Sequence, residues 1–229
     1  RVFGPVGTRA LFDGILAAYD ADIQNRLTGL QPHTDDGWRA EVTEISAGTV
    51  YEDSLVRVTA FEVPHAGWER AYGYRFETAD RTIVVSGDTR PSDAVVDACE
   101  GCDVLVLEVY SGSGFDGLPP EWQNYHRNAH TSSTELAAIA RRAHPRLLVL
   151  YHQLFWGTSE EELLAEVKRD YEGATVSAGD LDHDVHRRHS RRQLEEHGAR
   201  IVDLERAEFE HEGPRPRRRD GGGGVRPVR

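Results

Sequence analysis

Five polar side chains sit where apolar runs end or inside them: His65, Asp88, Glu108, His130 and His152. Imidazole nitrogen and carboxylate oxygen together suit zinc, manganese or iron. A carboxylate lying between two histidine-bearing loops can bridge two metals about 3.5–4 Å apart. Glu108 interrupts Asp103–Tyr110, a run that is otherwise nearly all apolar. Burial there disfavours the charged carboxylate unless it is paired. His130, just ahead of an expected helix start, is the partner it would find. Taken singly, each residue has a plain structural explanation: Asp88 could cap a turn, and His130 could pack at a helix start. Together, in this order, they point to a metal centre.

Such a centre needs a rigid frame. Ile83, Val84 and Val85 are β-branched and read as a buried strand that stops at Ser86-Gly87, where glycine permits a sharp turn and leaves Asp88 at the carboxyl end. Earlier strands are expected over Ala40–Ile45, Val50–Asp53 leading to Leu55–Val63, Tyr72–Glu77 and Thr82–Ser86. After Asp88 helices and strands alternate. The expected order is helix Ser92–Cys99, strand Asp103–Tyr110, a glycine-, proline- and aromatic-rich loop Ser111–Asn128, and a helix through Ala143. Ser132-Ser133-Thr134-Glu135 fits a capping box at the start of that helix. Strand Arg146–Tyr151, with His152 just past its end, then precedes helix Ser159–Tyr171 and strand Ala174–Ala178. Near the start, a glycine-proline loop at Phe3–Thr8 leads into an amphipathic helix over Arg9–Leu27, with Leu11, Ile15, Leu16, Tyr19 and Ile23 at helical spacing. The order argues for a sheet covered by helices, an α/β arrangement.

At 229 residues the chain can bury a sizeable core. Its net charge of −12 disfavours nucleic-acid phosphates unless a basic patch overrides it. No run approaches the roughly 18 apolar residues of a membrane span. Cys99 and Cys102 read as two small residues at a helix-to-strand junction, with a redox pair as the alternative. Nothing here suggests a disulfide-stapled domain. From His183 the character changes to His, Arg and Glu and then a glycine run, and residues 183–229 hold 12 arginines against 9 acidic residues. This tail is expected to be largely disordered, with a short helix at Arg191–His197 and a strand near Arg200–Leu204 as possible exceptions. The chain has no methionine, so Arg1 is not expected to be the encoded start.

The order of motifs resembles the metallo-β-lactamase superfamily, and within it the ribonuclease Z-like branch, from Gly4 to about Asp182. Its carriers are Gly4-Pro5-Val6-Gly7-Thr8, the His65 loop with Tyr72-Gly73-Tyr74-Arg75, and Ser86-Gly87-Asp88-Thr89, followed by Asp103–Glu108, His130-Thr131-Ser132 and Leu150-Tyr151-His152. The resemblance implies an αββα sandwich, N-terminally incomplete here, with residues 1–182 as the hydrolase domain. It implies His65, Asp88 and His152 as metal ligands, with Asp88 bridging. Glu108 and His130 resemble the pair that steers a proton to the leaving oxygen. The implied activity is hydrolysis of phosphodiester or related ester bonds by a hydroxide activated by two divalent ions, zinc first, manganese or iron as alternatives. A tRNA 3′-end endoribonuclease is a further possibility, and a non-catalytic relative that has lost its metals is another. The superfamily's His-x-His-x-Asp-His motif, expected before Gly4, is nowhere in the chain. The chain alone is therefore expected to bind metal weakly and turn over little. Between Arg75 and Ser86 there is only a tight hairpin turn, Glu77–Arg81, with no room for a tRNA-gripping arm, and Leu107 stands where the branch usually has histidine. The expected partners are a small ester or RNA and a second copy as a homodimer, in the cytoplasm and without a membrane.

Overall fold

Runs apolar on both faces govern the architecture. Ile83-Val84-Val85, Val104–Leu107 and Leu147–Leu150 form the centre of a seven-stranded sheet, as buried parallel strands require. A computed structural model describes residues 1–180; the helix and strand expected within 191–204, and the expected disorder of the tail, lie outside the described residues. In chain order the elements are β1 (Val2–Gly4), α1 (Thr8–Ala18), α2 (Asp20–Thr28), β2 (Val42–Glu44), β3 (Gly48–Glu52), β4 (Arg57–Val63), β5 (Ala71–Glu77) and β6 (Thr82–Val85). Then follow α3 (Asp93–Cys99), β7 (Val104–Tyr110), α4 (Gly112–Asp116), α5 (Pro120–Ala129), α6 (Ser133–Ala143), β8 (Leu147–Leu154), α7 (Glu160–Asp170) and β9 (Thr175–Ser177).

The strand order is β3-β4-β5-β6-β7-β8-β9, antiparallel as far as β6 and parallel from β6 to β9. Two antiparallel steps from β4 to β6 restore the direction, so β4, β6, β7 and β8 all point their carboxyl ends to one edge. Helices α3, α6 and α7 cover one face: Val84, Leu105, Leu107, Leu148 and Leu150 pack there against Val95, Leu136, Ala140, Leu163 and Val167. The opposite face carries Tyr74, Phe76, Val85, Val106 and Val149, all half-buried. Both α6 and α7 begin with complete capping boxes, Ser132 with Glu135 and Ser159 with Glu162.

Several expectations need correction. The helix expected over Arg9–Leu27 is two, broken at Tyr19; Asp20 and Asp22 open the second, where carboxylates favour a helix start. The expected loop at Phe3–Thr8 begins with β1, which pairs in parallel with β2. The expected loop Ser111–Asn128 holds α4 and α5. Ser111 caps α4 by accepting from the Gly114 N–H, and Pro120 occupies the first turn of α5, where its missing N–H costs nothing. The cysteines are joined as a Cys99–Cys102 disulfide. Glu100 and Gly101, both at positive φ, fold the chain back after α3 and bring the two Cα atoms to 4.8 Å.

Candidate metal centre

All five polar residues lie at the carboxyl edge of β4, β6, β7 and β8. His65 follows β4 after Pro64, and Asp88 follows β6. The turn before Asp88 depends on Gly87 at φ 66°, where a Cβ would meet the Tyr72 carbonyl oxygen at 2.6 Å. Glu108 is inside β7. His130 caps the end of α5 and lies two residues before the Ser132 cap of α6, the helix start it was expected to precede.

His152 stands where the chain departs most from the expected strand. The strand does not stop at Tyr151 but runs to Leu154. Glu108 pairs with Tyr151 and Val109 with Gln153, so His152 is the extra residue of a bulge. Its φ is 45°, a left-handed conformation uncommon for a residue with a side chain. The bulge re-aims the side chain so that Nε2 lies 3.3 Å from Asp88 Oδ2. Those two side chains are 41% and 40% exposed. A surface pair of that kind contributes about 0–1 kcal/mol, whereas a strained φ costs on the order of 1–3 kcal/mol. The ion pair by itself does not offset the strain.

Glu108 is fully buried and fully satisfied. One oxygen accepts the N–H of Thr89 at 3.1 Å and of Thr131 at 3.0 Å; the other lies 3.1 Å from His130 Nδ1. It thereby ties the Asp88 loop to the His130 loop. Burial pushes its carboxyl pKa up, opposed by the His130 hydrogen bond and charge and by the two backbone donors. The Thr131 hydroxyl adds a 2.7 Å bond to the Thr89 carbonyl.

His65, Asp88 and His130 each bring a ligand atom within 4.8 Å of the others. The expected ligand set was His65, Asp88 and His152; the geometry groups His130 with the first two and attaches His152 through Asp88. The donor chemistry fits a divalent ion. His65 Nδ1 lies 2.9 Å from the Ala129 carbonyl oxygen, and His130 Nδ1 faces Glu108. Both rings thus have Nδ1 engaged by an acceptor, which fixes the tautomer that leaves Nε2 with its lone pair, as metal-ligating histidines require. Four donors serve one metal; two metals need more than the described residues supply.

Sequence reasoning gave no role to two neighbours. Tyr151, at the bulge, has its phenol pushed up to about 12, first by burial, with Ser86 opposing and the Asp88 and Glu108 carboxylates adding to the rise. His126 lies one helical turn before His130, its ring centroid 5.5 Å away. Reading α5 as a helix would have found it from the four-residue spacing.

The model of the β-lactamase superfamily domain matches residues 17–153, and the chain belongs to that superfamily. Among curated proteins, it is 27% identical over 182 residues to ribonuclease Z of Mycobacterium tuberculosis (strain H37Ra), covering 79% of this chain and 66% of that protein. The chain thus spans slightly under two thirds of that relative's length. Among solved structures it is similar to the metallo-beta-lactamase fold protein YhfI from Bacillus subtilis, at 21% identity and TM-score 0.49, over 69% of this chain and 59% of the other. Human tRNase Z, short form, aligns at 21% identity and TM-score 0.46, over 66% and 59%.

Proposed function

We propose that the chain carries the catalytic edge of a metal-dependent hydrolase of phosphodiester or related ester bonds, ribonuclease Z-like in sequence. The observation that carries this reading is the His65–Asp88–His130 cluster with both imidazoles braced at Nδ1. The strained His152 beside Asp88 adds to it, because strain of that kind persists where function holds it. In this reading His65, Asp88 and His152 would hold a divalent ion, zinc first, with manganese or iron as alternatives. Such an ion supplies Lewis-acid stabilisation to negative charge developing on a phosphoryl or carbonyl oxygen.

The chain's own residues do the rest. Glu108 holds His130 in one tautomer and orientation and stabilises the ring when it is protonated. His130 Nε2 then delivers a proton to the leaving oxygen. A second reading has its own support: His130 is within ligand distance of His65 and Asp88, so it could be a metal ligand instead. Thr78–Arg81 closes the β5–β6 hairpin in four residues, with Thr78 N–H donating to the Arg81 carbonyl at 2.9 Å. No arm emerges there to grip tRNA, which favours a small ester over tRNA as substrate. A homodimer in the cytoplasm completes the proposal.

The test is metal content and hydrolysis of bis(4-nitrophenyl) phosphate against bis-alkyl phosphates. Asp88→Ala should lose metal and any turnover together. In a chain carrying the His-x-His-x-Asp-His segment ahead of Gly4, His130→Ala should keep metal and lose rate by about 100- to 10,000-fold on the alkyl ester, with far less loss on the nitrophenyl ester, whose leaving group needs little protonation. Loss of metal in His130→Ala would assign that residue as a ligand. A parent chain that takes up no zinc even at saturating zinc would sink the hydrolase reading. One equivalent of zinc bound tightly by the 229-residue chain would remove the expectation that it binds metal weakly.

A further inference from the structure

Helix α5 presents aromatic side chains that the metal centre does not use. Trp122 and Tyr125 are large apolar residues left exposed, at 53% and 44%. They stand edge to face, ring centroids 6.0 Å apart, and both touch His126. Trp122 lies nearly parallel to the His126 ring at 5.8 Å, and Tyr125 meets it at 5.0 Å. His126 in turn packs 4.5 Å from Trp156 and 5.5 Å from His130. Its Nδ1 is buried without a hydrogen-bond partner, so the imidazole serves here as an aromatic slab. Trp156 is itself held at φ 46°, and Tyr110 and Phe115 pack on it at 5.5 and 6.2 Å.

A core would bury such rings and a solvated helix face would be charged. Here a continuous train of rings leads from solvent at Trp122, through His126, to His130 at the edge of the candidate centre. Exposed aromatic faces stack on flat π-systems, and base–aromatic stacking tolerates many ring types.

We infer that Trp122 and Tyr125, backed by His126 and Trp156, form a ledge that binds a flat aromatic group attached to the phosphate or ester being hydrolysed. This rests on the hydrolase reading for the identity of the neighbouring centre. The aromatic group could be a nucleobase or an aryl leaving group, which share the same stacking chemistry.

Calorimetric titration of the 229-residue chain separates these cases. The probes are phenyl phosphate against methyl phosphate, and adenosine 5′-monophosphate against ribose 5-phosphate. The aromatic member of at least one pair should bind tighter by roughly 5- to 150-fold. Trp122→Ala and Tyr125→Ala should each reduce that preference, the double variant should abolish it, and Trp122→Phe should keep most of it. Affinity for methyl phosphate and ribose 5-phosphate should not move, and neither should the thermal midpoint, since both side chains are exposed. A stronger preference in the adenosine pair identifies a nucleobase, and in the phenyl pair an aryl leaving group. Equal affinity within both pairs, no detectable binding of either aromatic probe, or an aromatic preference surviving in the double variant would overturn the ledge. An intact aromatic preference in protein that takes up no zinc even at saturating zinc would leave the ledge standing and overturn the hydrolase reading alone.

Discussion

Glu108 shows how much one buried side chain can decide. Both its oxygens are used: one holds the Thr89 and Thr131 N–H groups, the other faces His130 Nδ1. Glu108→Gln keeps an oxygen for the two backbone donors but places an amide N–H against His130. The imidazole must then accept at Nδ1 and carry its proton at Nε2, the atom that faces the centre. The expected outcome is a folded protein whose 15N imidazole shifts report the opposite His130 tautomer, with zinc affinity or turnover reduced about 10- to 100-fold. An unchanged tautomer would disprove the link. Glu108→Ala differs, because it strands two buried N–H groups; at about 1–3 kcal/mol for each orphaned donor, a marked fall in thermal midpoint is expected. His152 gives the complementary test. His152→Gly removes the same donor as His152→Ala but accepts φ 45° without penalty, so the glycine variant should be the more stable by about 1 kcal/mol in urea unfolding. Both should bind zinc equally poorly.

Elements reach the site through clamps as well as through the sheet. Glu166 of α7 accepts from the Ser111, Ser113 and Ser133 hydroxyls and from the Gly112 and Ser113 N–H groups, at 2.6–3.2 Å. One carboxylate thus fastens the start of α4 and the start of α6, the two segments that follow β7 and His130. Burial alone would raise its pKa, but the hydrogen bonds outweigh that and hold it at about 2, against 4.5 for a free glutamate. Because the folded value lies below the unfolded one, its stabilisation is complete above about pH 4.5 and is lost as pH falls towards 2. Glu166→Gln should cost about 2 kcal/mol at pH 7, a midpoint lower by roughly 4–8 °C, with the gap from the parent closing on acidification. A gap constant from pH 7 to 3 would show that ionised Glu166 is not the clamp. Sequence made α6 and α7 legible because each opens on a capping box followed by apolar positions at helical spacing, and it made β6, β7 and β8 legible because β-branched runs have few other homes. It did not show α4 and α5, whose only signals are one capping serine and one N-terminal proline amid glycine and aromatics. Nor did it show the bulge, since a histidine after an apolar run looks the same at a strand's end as in its middle. The disulfide escaped for a similar reason: whether a lone Cys-x-x-Cys closes depends on the backbone between the two, and Glu100 does not announce the left-handed turn it adopts here.

Across the molecule, direction of travel makes the site and burial leaves a question. His65 and Asp88, loop residues far apart in sequence, meet because β4 and β6 run the same way with one antiparallel strand between them. The same sheet is apolar on both faces, as a parallel sheet covered on both sides would be. Among the described residues, α3, α6 and α7 cover one face, while the other carries Tyr74, Phe76, Val85, Val106 and Val149 half-buried and Ile83 36% exposed. These side chains lie on neighbouring strands β5 to β8 and form a contiguous apolar patch, only its Tyr74 end packed against Ile45 and Tyr72. Self-association through this face is the expected outcome. Sedimentation equilibrium at tens of micromolar should show a dimer, with an apolar dye bound by whatever fraction stays monomeric. Ile83→Glu combined with Val104→Glu should shift the equilibrium to monomer, because each dimer would bury four unpaired carboxylates in this face. The helix-facing residues of the same strands, Val84 and Leu105, are untouched by these changes, so the far-ultraviolet circular dichroism should stay that of the parent. A monomeric parent that binds no dye would mean the face is already covered within the chain, and the homodimer would have to be abandoned.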